Sequence, residues 1–306
     1  MAVLVAGGSG FIGFHLVKRL AETGERVVVF DSQPPPPLPE NLSAGVTWVK
    51  GDATQMVDIL HALRDHGVRD VYHLVALLAN VCQEKPHLAL KINVESLVNF
   101  LEASRLLKLG KVVFASSVAV YGPSEPAPVG EEAPTNPASV YGATKVLGEF
   151  YGLHYFRSFG VDFRALRFTT IYGLGKSGGS TGICSLMIEK AARGQDVSGD
   201  VRDAATDWLY IKDAVQSLLL ARQAENPKGR IYNIGGGSYS VGQVADIVKK
   251  YLPTAGIHLE AKRIFPWPPS YRWDRGEEEL GYTPVFDIEK GVRDFIEEAR
   301  KARPGG

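Results

Sequence analysis

A tyrosine and a lysine stand four residues apart in the stretch "SVYGATKVLGE", which covers residues 139–149. On a helix this spacing places Tyr141 and Lys145 on one face, one turn apart. An unperturbed tyrosine titrates near pH ~10, and a neighbouring ammonium group favours its phenolate form. The Tyr-x-x-x-Lys pattern is common, so the pair alone does not distinguish a reactive site from an ordinary helical face.

A strand-end serine favours the reactive interpretation. The run "VVFASSVAVYG" ends a predicted strand at Ser116 and Ser117, shortly before the helix that carries the Tyr/Lys pair. Removing hydride from a carbinol carbon also requires removing the hydroxyl proton. We therefore predict that Tyr141 is the base, that Lys145 tunes its pKa, and that Ser117 holds the substrate oxygen.

The elements that must position these residues alternate along the first half of the chain. The predicted strands cover 2–7, 26–31, 46–52, 70–76, 111–117 and 161–168, and the predicted helices cover 11–24, 54–66, 86–108 and 139–159. Such alternation predicts an α/β fold with a Rossmann-type, doubly wound parallel sheet. Ligands of such sheets bind at the carboxyl ends of the strands, where the three candidate residues fall.

A glycine-rich turn, "VAGGSGFIG", joins the first strand to the first helix. Gly7, Gly10 and Gly13 suit a tight turn, backbone contact with a pyrophosphate and close packing of helix on strand. Asp31 ends the second strand about twenty residues further on, where a carboxylate accepts hydrogen bonds from an adenosine ribose. Because it would repel a 2′-phosphate, the pattern predicts NAD rather than NADP as the cofactor.

Two domains are expected, because the alternation weakens after about residue 170 and glycines then cluster in "GLGKSGGSTG". Residues 1–168 are predicted to form the NAD-binding domain, to which residues 208–234 return as a further helix and strand. Residues 169–207 and 235–306 are predicted to form a smaller, discontinuous substrate-binding domain at the C-terminal side.

The composition excludes several classes of partner. The 306 residues are 45% hydrophobic, with 34 basic and 34 acidic side chains and zero net charge, so neither nucleic acid nor a membrane is expected as a partner. No apolar run is long enough to span a bilayer, and no secretory signal is recognisable. Cys82 and Cys184 lie outside any cysteine or histidine cluster, which predicts free thiols, a cytoplasmic protein and no metal site.

The sequence resembles the extended short-chain dehydrogenase/reductase family, also called the NAD-dependent epimerase/dehydratase family. The matching segments follow the expected order over nearly the whole chain and include "GGSGFIG", "YHLVA", "FASSVAVYG", "YGATK", "LRFTTIYG" and "ELGYTPVFDIEKGVRDFI". The resemblance implies that Ser117 and Tyr141 form the proton relay, that Lys145 contacts the nicotinamide ribose, and that Asn93 supports the relay.

The resemblance also implies a set of cofactor contacts and a homodimer that pairs the helices near 86–108 and 139–159. The expected cofactor contacts are Gly7, Gly10, Phe11, Ile12, Gly13, Asp31, Asp52, Ala53, Leu74, Ala76, Asn93, Tyr141, Lys145 and Phe168. Asp52 and Ala53, at the end of the third predicted strand, are expected to flank the adenine.

Departures from the family pattern narrow the reaction. Dehydratases of this family carry acidic residues shortly after the catalytic serine or threonine, where this chain has Val118 and Ala119. Nucleotide-sugar epimerases usually carry Asn at the position of Thr170 and Arg at the position of Thr206, before Asp207. Because both residues normally help to hold the diphosphate, their absence argues against a nucleotide sugar. Three arginines remain candidate substitutes, namely Arg202, Arg263 and Arg272.

Other stretches, among them "GGSTG" and "PWPPS", are similar to the threonine 3-dehydrogenase branch of the family. Thr181 and Trp267 match that branch, whereas Ala79 replaces a serine and Gly182–Ile183 replace a Thr–Asp pair. A turn role for Thr181 and a packing role for Trp267 stay open as alternatives. The substrate contacts expected from these comparisons are Ala79, Ser117, Tyr141, Thr170, Thr181 and Trp267.

We therefore expect an NAD-dependent oxidoreductase that oxidises a secondary alcohol of a small polar substrate, such as a hydroxy acid, an amino acid or a sugar acid. The alternative is a nucleotide-sugar 4-epimerase, in which the same oxidation is followed by return of the hydride to the other face. A non-catalytic NAD-binding protein of this fold is a third reading, which the presence of both Tyr141 and Lys145 disfavours.

Overall fold

A seven-stranded parallel sheet is the centre of the structure, a computed structural model that describes residues 1–176 and 178–302. Within these residues the strands are β1 (Ala2–Ala6), β2 (Arg26–Asp31), β3 (Val46–Lys50), β4 (Val68–His73), β5 (Lys111–Ser117), β6 (Asp162–Phe168), β7 (Thr170–Tyr172), β8 (Val197–Gly199), β9 (Ala205–Tyr210), β10 (Ile231–Ile234), β11 (Ser238–Ser240) and β12 (Ile257–Leu259). The large sheet has the order β10-β6-β5-β4-β1-β2-β3.

Helices flank this sheet, and others belong to the smaller region that follows it. The α-helices of the described residues are α1 (Phe11–Glu22), α2 (Glu40–Ser43), α3 (Met56–Asp65), α4 (Ala79–Glu84), α5 (Pro86–Ala89), α6 (Ser96–Leu107), α7 (Val140–Phe159), α8 (Gly182–Ala192), α9 (Ile211–Gln223), α10 (Val241–Tyr251), α11 (Asp274–Leu280) and α12 (Ile288–Lys301). None of the helices in the described part of the chain is long and apolar enough to cross a membrane.

The predicted Rossmann-type sheet is confirmed, and its strands form for the reason that the sequence suggests. Strands such as "AVLVA" in β1 are apolar throughout and fully buried, as expected for strands that helices cover on both faces. Within this sheet only the edge strand β3 is largely exposed. Because the strands are parallel, their carboxyl ends meet at one edge of the sheet.

A smaller region follows the large sheet. Strands β7, β9 and β11 form a three-stranded sheet, β8 pairs with β12, and helices α8, α10 and α12 pack on one another beside them. The expected return of the chain to the large sheet occurs through α9 and β10, since β10 pairs with β6, whereas 208–210 lie in β9 and pair with β7. The proposed domain limits stay a prediction, because one apolar cluster extends from β1 to α12.

The long helix predicted over 86–108 is interrupted. It begins at Pro86, continues through the π-helical segment Leu90–Glu95, and ends as α6. Helix α4, which the pattern does not predict, precedes it and is separated by Lys85, whose conformation the following proline restricts. A π-helical segment inside a helix is common at functional sites, and this one contains Asn93.

Helix α7 lies unusually close to the sheet. A Cβ atom added at Gly152 would stand 2.2 Å from the ring of Phe163 on β6, and one at Gly148 would stand 3.0 Å from Phe114 on β5. The absence of side chains at these positions therefore lets α7 approach the strands. This approach brings Tyr141 and Lys145, near the N-terminal end of α7, to the carboxyl end of β5.

Candidate active site

The glycine turn has the geometry that its sequence predicts. Gly7 has a positive φ of 79°, and a Cβ atom there would stand 2.9 Å from the backbone of Leu74. A Cβ atom at Gly13 would stand 2.1 Å from the carbonyl oxygen of Gly7, so α1 begins directly against the turn. No side chain caps α1 at Gly10, and its first described turn holds no acidic residue, which leaves its N–H groups available for an anion.

Asp31 is held beside this turn at the end of β2. One carboxylate oxygen accepts a hydrogen bond from the backbone N–H of Ser9 at 3.0 Å, and the other accepts from that of Gln33 at 3.1 Å. The hydroxyl of Ser9 donates to the carbonyl oxygen of Gln33 at 2.7 Å. Each oxygen of Asp31 keeps a further acceptor site, as binding of a ribose requires. The turn residue Ser9 was not singled out from the sequence.

Further residues expected to contact the cofactor lie at or after the carboxyl ends of strands or at the start of α1. Asp52 accepts hydrogen bonds from the backbone and hydroxyl of Thr54 at 2.8 and 2.9 Å, and Ala53 is buried. Leu74 and Ala76 are half-buried in the loop after β4. The remaining expected contacts are Phe11 and Ile12 at the start of α1, and buried Phe168 at the end of β6.

Lys145 is buried without a carboxylate partner in the described structure. It is 2% exposed, and its Nζ donates to the carbonyl oxygen of Ala115 at 2.7 Å. The same atom stands 4.7 Å from the ring centroid of Phe114 and 5.5 Å from that of Tyr141. Burial lowers the pKa of Lys145 to about 8, because the apolar surroundings disfavour its charged form.

Tyr141 and Ser117 are brought together at the end of β5. Burial raises the pKa of Tyr141 to about 12, and a hydrogen bond with the Ser117 side chain lowers it. The Ser117 oxygen also accepts from the backbone N–H of Ala119 at 3.2 Å, which fixes its position. The phenol of Tyr141 therefore stays protonated at neutral pH when no further positive charge is near. Its use as a base requires the positive charges of the Lys145 ammonium and of an oxidised nicotinamide, which favour the phenolate form.

A buried ion pair between Glu149 and Arg167 supports this group, and it was not predicted. Arg167 donates from Nε and Nη2 to the two oxygens of Glu149 at 2.8 and 2.6 Å, and each side chain is 5% exposed. Glu149 also accepts from Ser116 at 2.6 Å, and Arg167 donates to the hydroxyl of Tyr121 at 2.7 Å. A sequence signal exists, because Glu149 shares the helical face of Tyr141.

Asn93 ties the surrounding elements together through its side chain. Its Oδ1 accepts from the backbone N–H of Leu77 at 2.7 Å, and its Nδ2 donates to Leu77 and to Thr144 on α7 at 3.2 and 3.1 Å. Asn93 thus connects the loop after β4 with the helix that carries Tyr141. Its expected contact with the relay or the cofactor stays a prediction.

Thr170, Thr206 and Trp267, which were expected from the sequence to choose the substrate, form one hydrogen-bonded cluster. The two threonine hydroxyls are 2.8 Å apart, and the indole N–H of Trp267 donates to the Thr206 hydroxyl at 3.1 Å. Trp267 also stacks on Phe265 at a centroid distance of 4.8 Å. Thr206 is 1% exposed. Where nucleotide-sugar epimerases usually carry Arg, this chain therefore has a short, buried side chain that is hydrogen-bonded within the protein.

Ala79 and Thr181, two further expected substrate contacts, lie at the N-terminal ends of helices. Ala79 is the first residue of α4 and is half-buried. Thr181 precedes α8, and its hydroxyl accepts a hydrogen bond from Lys176 at 2.8 Å. Their contact with a substrate stays a prediction.

The arginines considered as phosphate ligands are mostly engaged elsewhere. Arg263 forms two hydrogen bonds with Asp200, at 2.5 and 2.8 Å, and Arg272 is paired with Glu132. Arg202 is the least engaged, at 4.0 Å from its acidic neighbour. The two paired arginines would have to leave existing partners to hold a diphosphate.

Residues that often bind metals have structural surroundings here. Residues 1–176 and 178–302 contain no cluster of three or more His, Cys, Asp or Glu side chains that could hold a metal ion. His73 is fully buried, bonds to the Ser96 hydroxyl at 3.0 Å, and has its pKa lowered to about 3 by burial. Cys82 and Cys184 are buried free thiols.

The ion pair suggests a test of how α7 is held. Glu149→Gln leaves the Arg167 guanidinium buried without its counter-charge, so we expect the free energy of unfolding to fall by about 3–5 kcal/mol. Glu102→Gln is the matched control, because Glu102 pairs with Arg105 at 2.5 Å on the surface and should cost no more than ~1 kcal/mol. Urea unfolding measures both variants, and equal effects would contradict this account.

Comparisons with known proteins identify the family of the chain. The model of the "NAD dependent epimerase/dehydratase family" matches residues 3–235. A protein of Methanocaldococcus jannaschii named "Putative UDP-glucose 4-epimerase" is 32% identical, with 96% of this chain and 97% of that protein covered. A structure titled "Partial Consensus L-threonine 3-dehydrogenase" has a TM-score of 0.90 at 25% identity, with 99% of this chain and 100% of that chain covered.

A UDP-glucose 4-epimerase of Thermus thermophilus, solved in complex with NAD, has a TM-score of 0.83 at 28% identity, with 99% of this chain and 100% of that chain covered. The similar proteins thus include both dehydrogenases and epimerases. They share their fold with this chain, and the matching family is NAD-dependent. The glycine turn, Asp31 and the buried Lys145 fit NAD. The chain is an NAD-dependent enzyme that belongs to the NAD dependent epimerase/dehydratase family, the extended short-chain dehydrogenase/reductases.

Proposed function

We propose that this enzyme is a dehydrogenase that oxidises a secondary alcohol of a small polar substrate, such as a hydroxy acid, an amino acid or a sugar acid. The observation that carries the proposal is the cluster of Thr170, Thr206 and Trp267. Its threonines stand where nucleotide-sugar epimerases usually carry Asn and Arg, and their hydroxyls are used within the protein. A diphosphate requires charge-assisted donors, which this cluster does not supply.

The proposed chemistry follows from the group at the end of β5. The Ser117 hydroxyl holds the substrate oxygen, and Tyr141 takes the hydroxyl proton as the carbinol carbon loses hydride. Lys145 lies over the Tyr141 ring at 5.5 Å and lowers the cost of the phenolate charge. The ammonium keeps further N–H groups besides the one given to Ala115, and we assign these to the nicotinamide ribose.

The cofactor would be held by the turn around Gly7 and by Asp31. The N-terminus of α1 would bind the pyrophosphate, and the Asp31 carboxylate would accept hydrogen bonds from the adenosine ribose. When bound, NAD supplies the hydride acceptor and a positive charge near the reacting oxygen. The buried surroundings at Lys145 keep water away from this position.

The second candidate is a UDP-sugar 4-epimerase. It is favoured by the 32% identity to the Methanocaldococcus jannaschii protein over nearly the full length of both chains. The same residues would carry the transient oxidation, after which hydride would return to the opposite face. Arg202, the least engaged of the three candidate arginines, would then have to contact the diphosphate.

A substrate panel distinguishes the two functions. We expect stoichiometric NADH absorbance when the enzyme and NAD are mixed with one or more hydroxy acids, amino acids or sugar acids, because a dehydrogenase releases reduced cofactor. UDP-galactose should give neither NADH nor UDP-glucose. Turnover of UDP-galactose at ordinary enzyme rates, with the cofactor kept bound, would instead identify an epimerase.

Replacing the base tests the chemistry independently of the substrate class. Tyr141→Phe removes the proton acceptor, so turnover should fall by about 10²–10⁴-fold, while the dissociation constant for NAD stays within about threefold. Tyr151→Phe, on the exposed part of the same helix, is the control and should leave turnover unchanged. Normal turnover in Tyr141→Phe would remove Tyr141 from the reaction, whatever the substrate.

The expected homodimer stays a proposal, as does a cytoplasmic location. Helix α7 presents apolar side chains outward, and Phe150 is 67% exposed on it beside Leu147 and Tyr151. Leu88 and Leu90, on the neighbouring helix, are also exposed. Burying such a surface is favourable, and we propose that two copies pair along this face.

Sedimentation of the wild type and of a Phe150→Glu variant tests the dimer. We expect a dimer at micromolar concentration for the wild type and a shift toward monomer for Phe150→Glu, because the variant places a charge in the proposed interface. Val285→Glu, at an exposed apolar residue far along the chain, is the control. A wild type that sediments only as a monomer would contradict the proposal.

A further inference from the structure

Lys176 is a second lysine whose ammonium group has no carboxylate partner among residues 1–176 and 178–302, and its side chain is half-buried. Its Nζ donates to the carbonyl oxygen of Ile171 at 2.6 Å and to the hydroxyl of Thr181 at 2.8 Å. Burial lowers the pKa of Lys176 to about 8. Two neutral oxygens compensate only part of the cost of burying a charge, so the site is suited to a further, anionic partner.

Two buried cations of the described residues, Arg167 and Lys145, show what is unusual about Lys176. Arg167 is fully paired with Glu149, as buried charges generally are. Lys145, which also lacks an acidic partner, belongs to the reacting group. Cations with a perturbed pKa concentrate at functional sites, and Lys176 is otherwise unused by the proposed chemistry.

The loop that carries this lysine connects the cofactor turn with the expected substrate contacts. At its start, a side chain at Gly173 would stand 3.6 Å from the ring of Phe11, the first residue of α1. Further along, a side chain at Gly179 would stand 3.5 Å from Leu78, which directly precedes Ala79. The two ends of the loop therefore lie beside the first residue of α1 and beside the residue that precedes Ala79.

We propose that Lys176 and Thr181 bind a carboxylate group of the substrate, which makes the substrate a hydroxy acid, an amino acid or a sugar acid rather than a neutral alcohol. This inference rests on the proposed dehydrogenase function. An ammonium and a hydroxyl together give two hydrogen bonds to one carboxylate, at least one of them charge-assisted. Helix α8 follows directly, and its first described turn contains no acidic residue that would repel the anion.

Pairs of substrates that differ only in the carboxylate test this assignment. The probes are L-threonine with L-threoninamide, and 3-hydroxybutyrate with 3-hydroxybutyramide, each followed by NADH absorbance and by calorimetric binding to the NAD-loaded enzyme. We expect the wild type to bind the acid of an accepted pair about 10–100-fold more tightly than the amide. In Lys176→Met the KM for the acid should rise by the same factor, with kcat changed less and the preference over the amide lost.

Two further variants keep the test independent of folding defects. Thr181→Val keeps the shape of the side chain but removes the hydroxyl, and should weaken binding of the acid by about tenfold. Lys249→Met removes an exposed positive charge from α10 and should change neither constant. An unchanged dissociation constant for NAD in Lys176→Met shows that the cofactor site is intact.

The outcomes separate this inference from the proposed function. Oxidation of acid and amide with equal KM would overturn the carboxylate assignment and leave the dehydrogenase intact. A weaker affinity for NAD in Lys176→Met, with the acid preference retained, would place the lysine on the cofactor and would also overturn it. Interconversion of UDP-sugars without NADH release would overturn both proposals.

Discussion

The buried ion pair between Glu149 and Arg167 is the interaction on which the geometry of the site depends. It attaches α7 to β6, and the bond from Ser116 to Glu149 attaches the same helix to β5. Breaking either half would leave a charge in a nearly water-free interior, which is far more costly than losing a surface ion pair. Tyr141 and Lys145 therefore keep a fixed position relative to the strand end that carries Ser117.

Glycines on α7 make this attachment possible. The helix stands so close to the sheet that even a methyl group at Gly152 would overlap the ring of Phe163. The close packing of α7 on the sheet and the ion pair thus depend on each other, because Glu149 and Arg167 reach hydrogen-bonding distance only if the helix lies this close to β6. The phenol of Tyr141 is therefore positioned by packing at Gly148 and Gly152, which lie two and three helical turns away on α7.

Two lysines of the described residues, Lys145 and Lys176, have no carboxylate within ion-pair distance. Lys145 and Lys176 are both held by neutral oxygens, and burial lowers the pKa of each to about 8. The protein thus leaves the negative charge to other partners: a phenolate at one lysine and, as we propose, a substrate carboxylate at the other.

The family, the cofactor and the sheet could be predicted from the sequence, because they depend on local patterns. Each of these patterns is contained in a short segment: a strand followed by a helix, the glycine turn, and the acidic residue that ends β2. The segments also follow one another along the chain in the order expected for this fold. The interruption of the helix at Leu90–Glu95 was not predicted, since apolar periodicity does not distinguish a π-helical segment from regular helix. Helix α4 was missed because it is only six residues long.

The sequence by itself determined the candidates for the reaction and for cofactor binding, because Ser117, Tyr141, Lys145 and Asp31 are recognisable from type and spacing. Only the tertiary structure decided what surrounds them. The partnership of Glu149 with Arg167 and the cluster of Thr206 with Trp267 join positions that are 18 and 61 residues apart in the chain. Burial and pairing set the cost and the use of a charge, and neither can be read from spacing along the sequence.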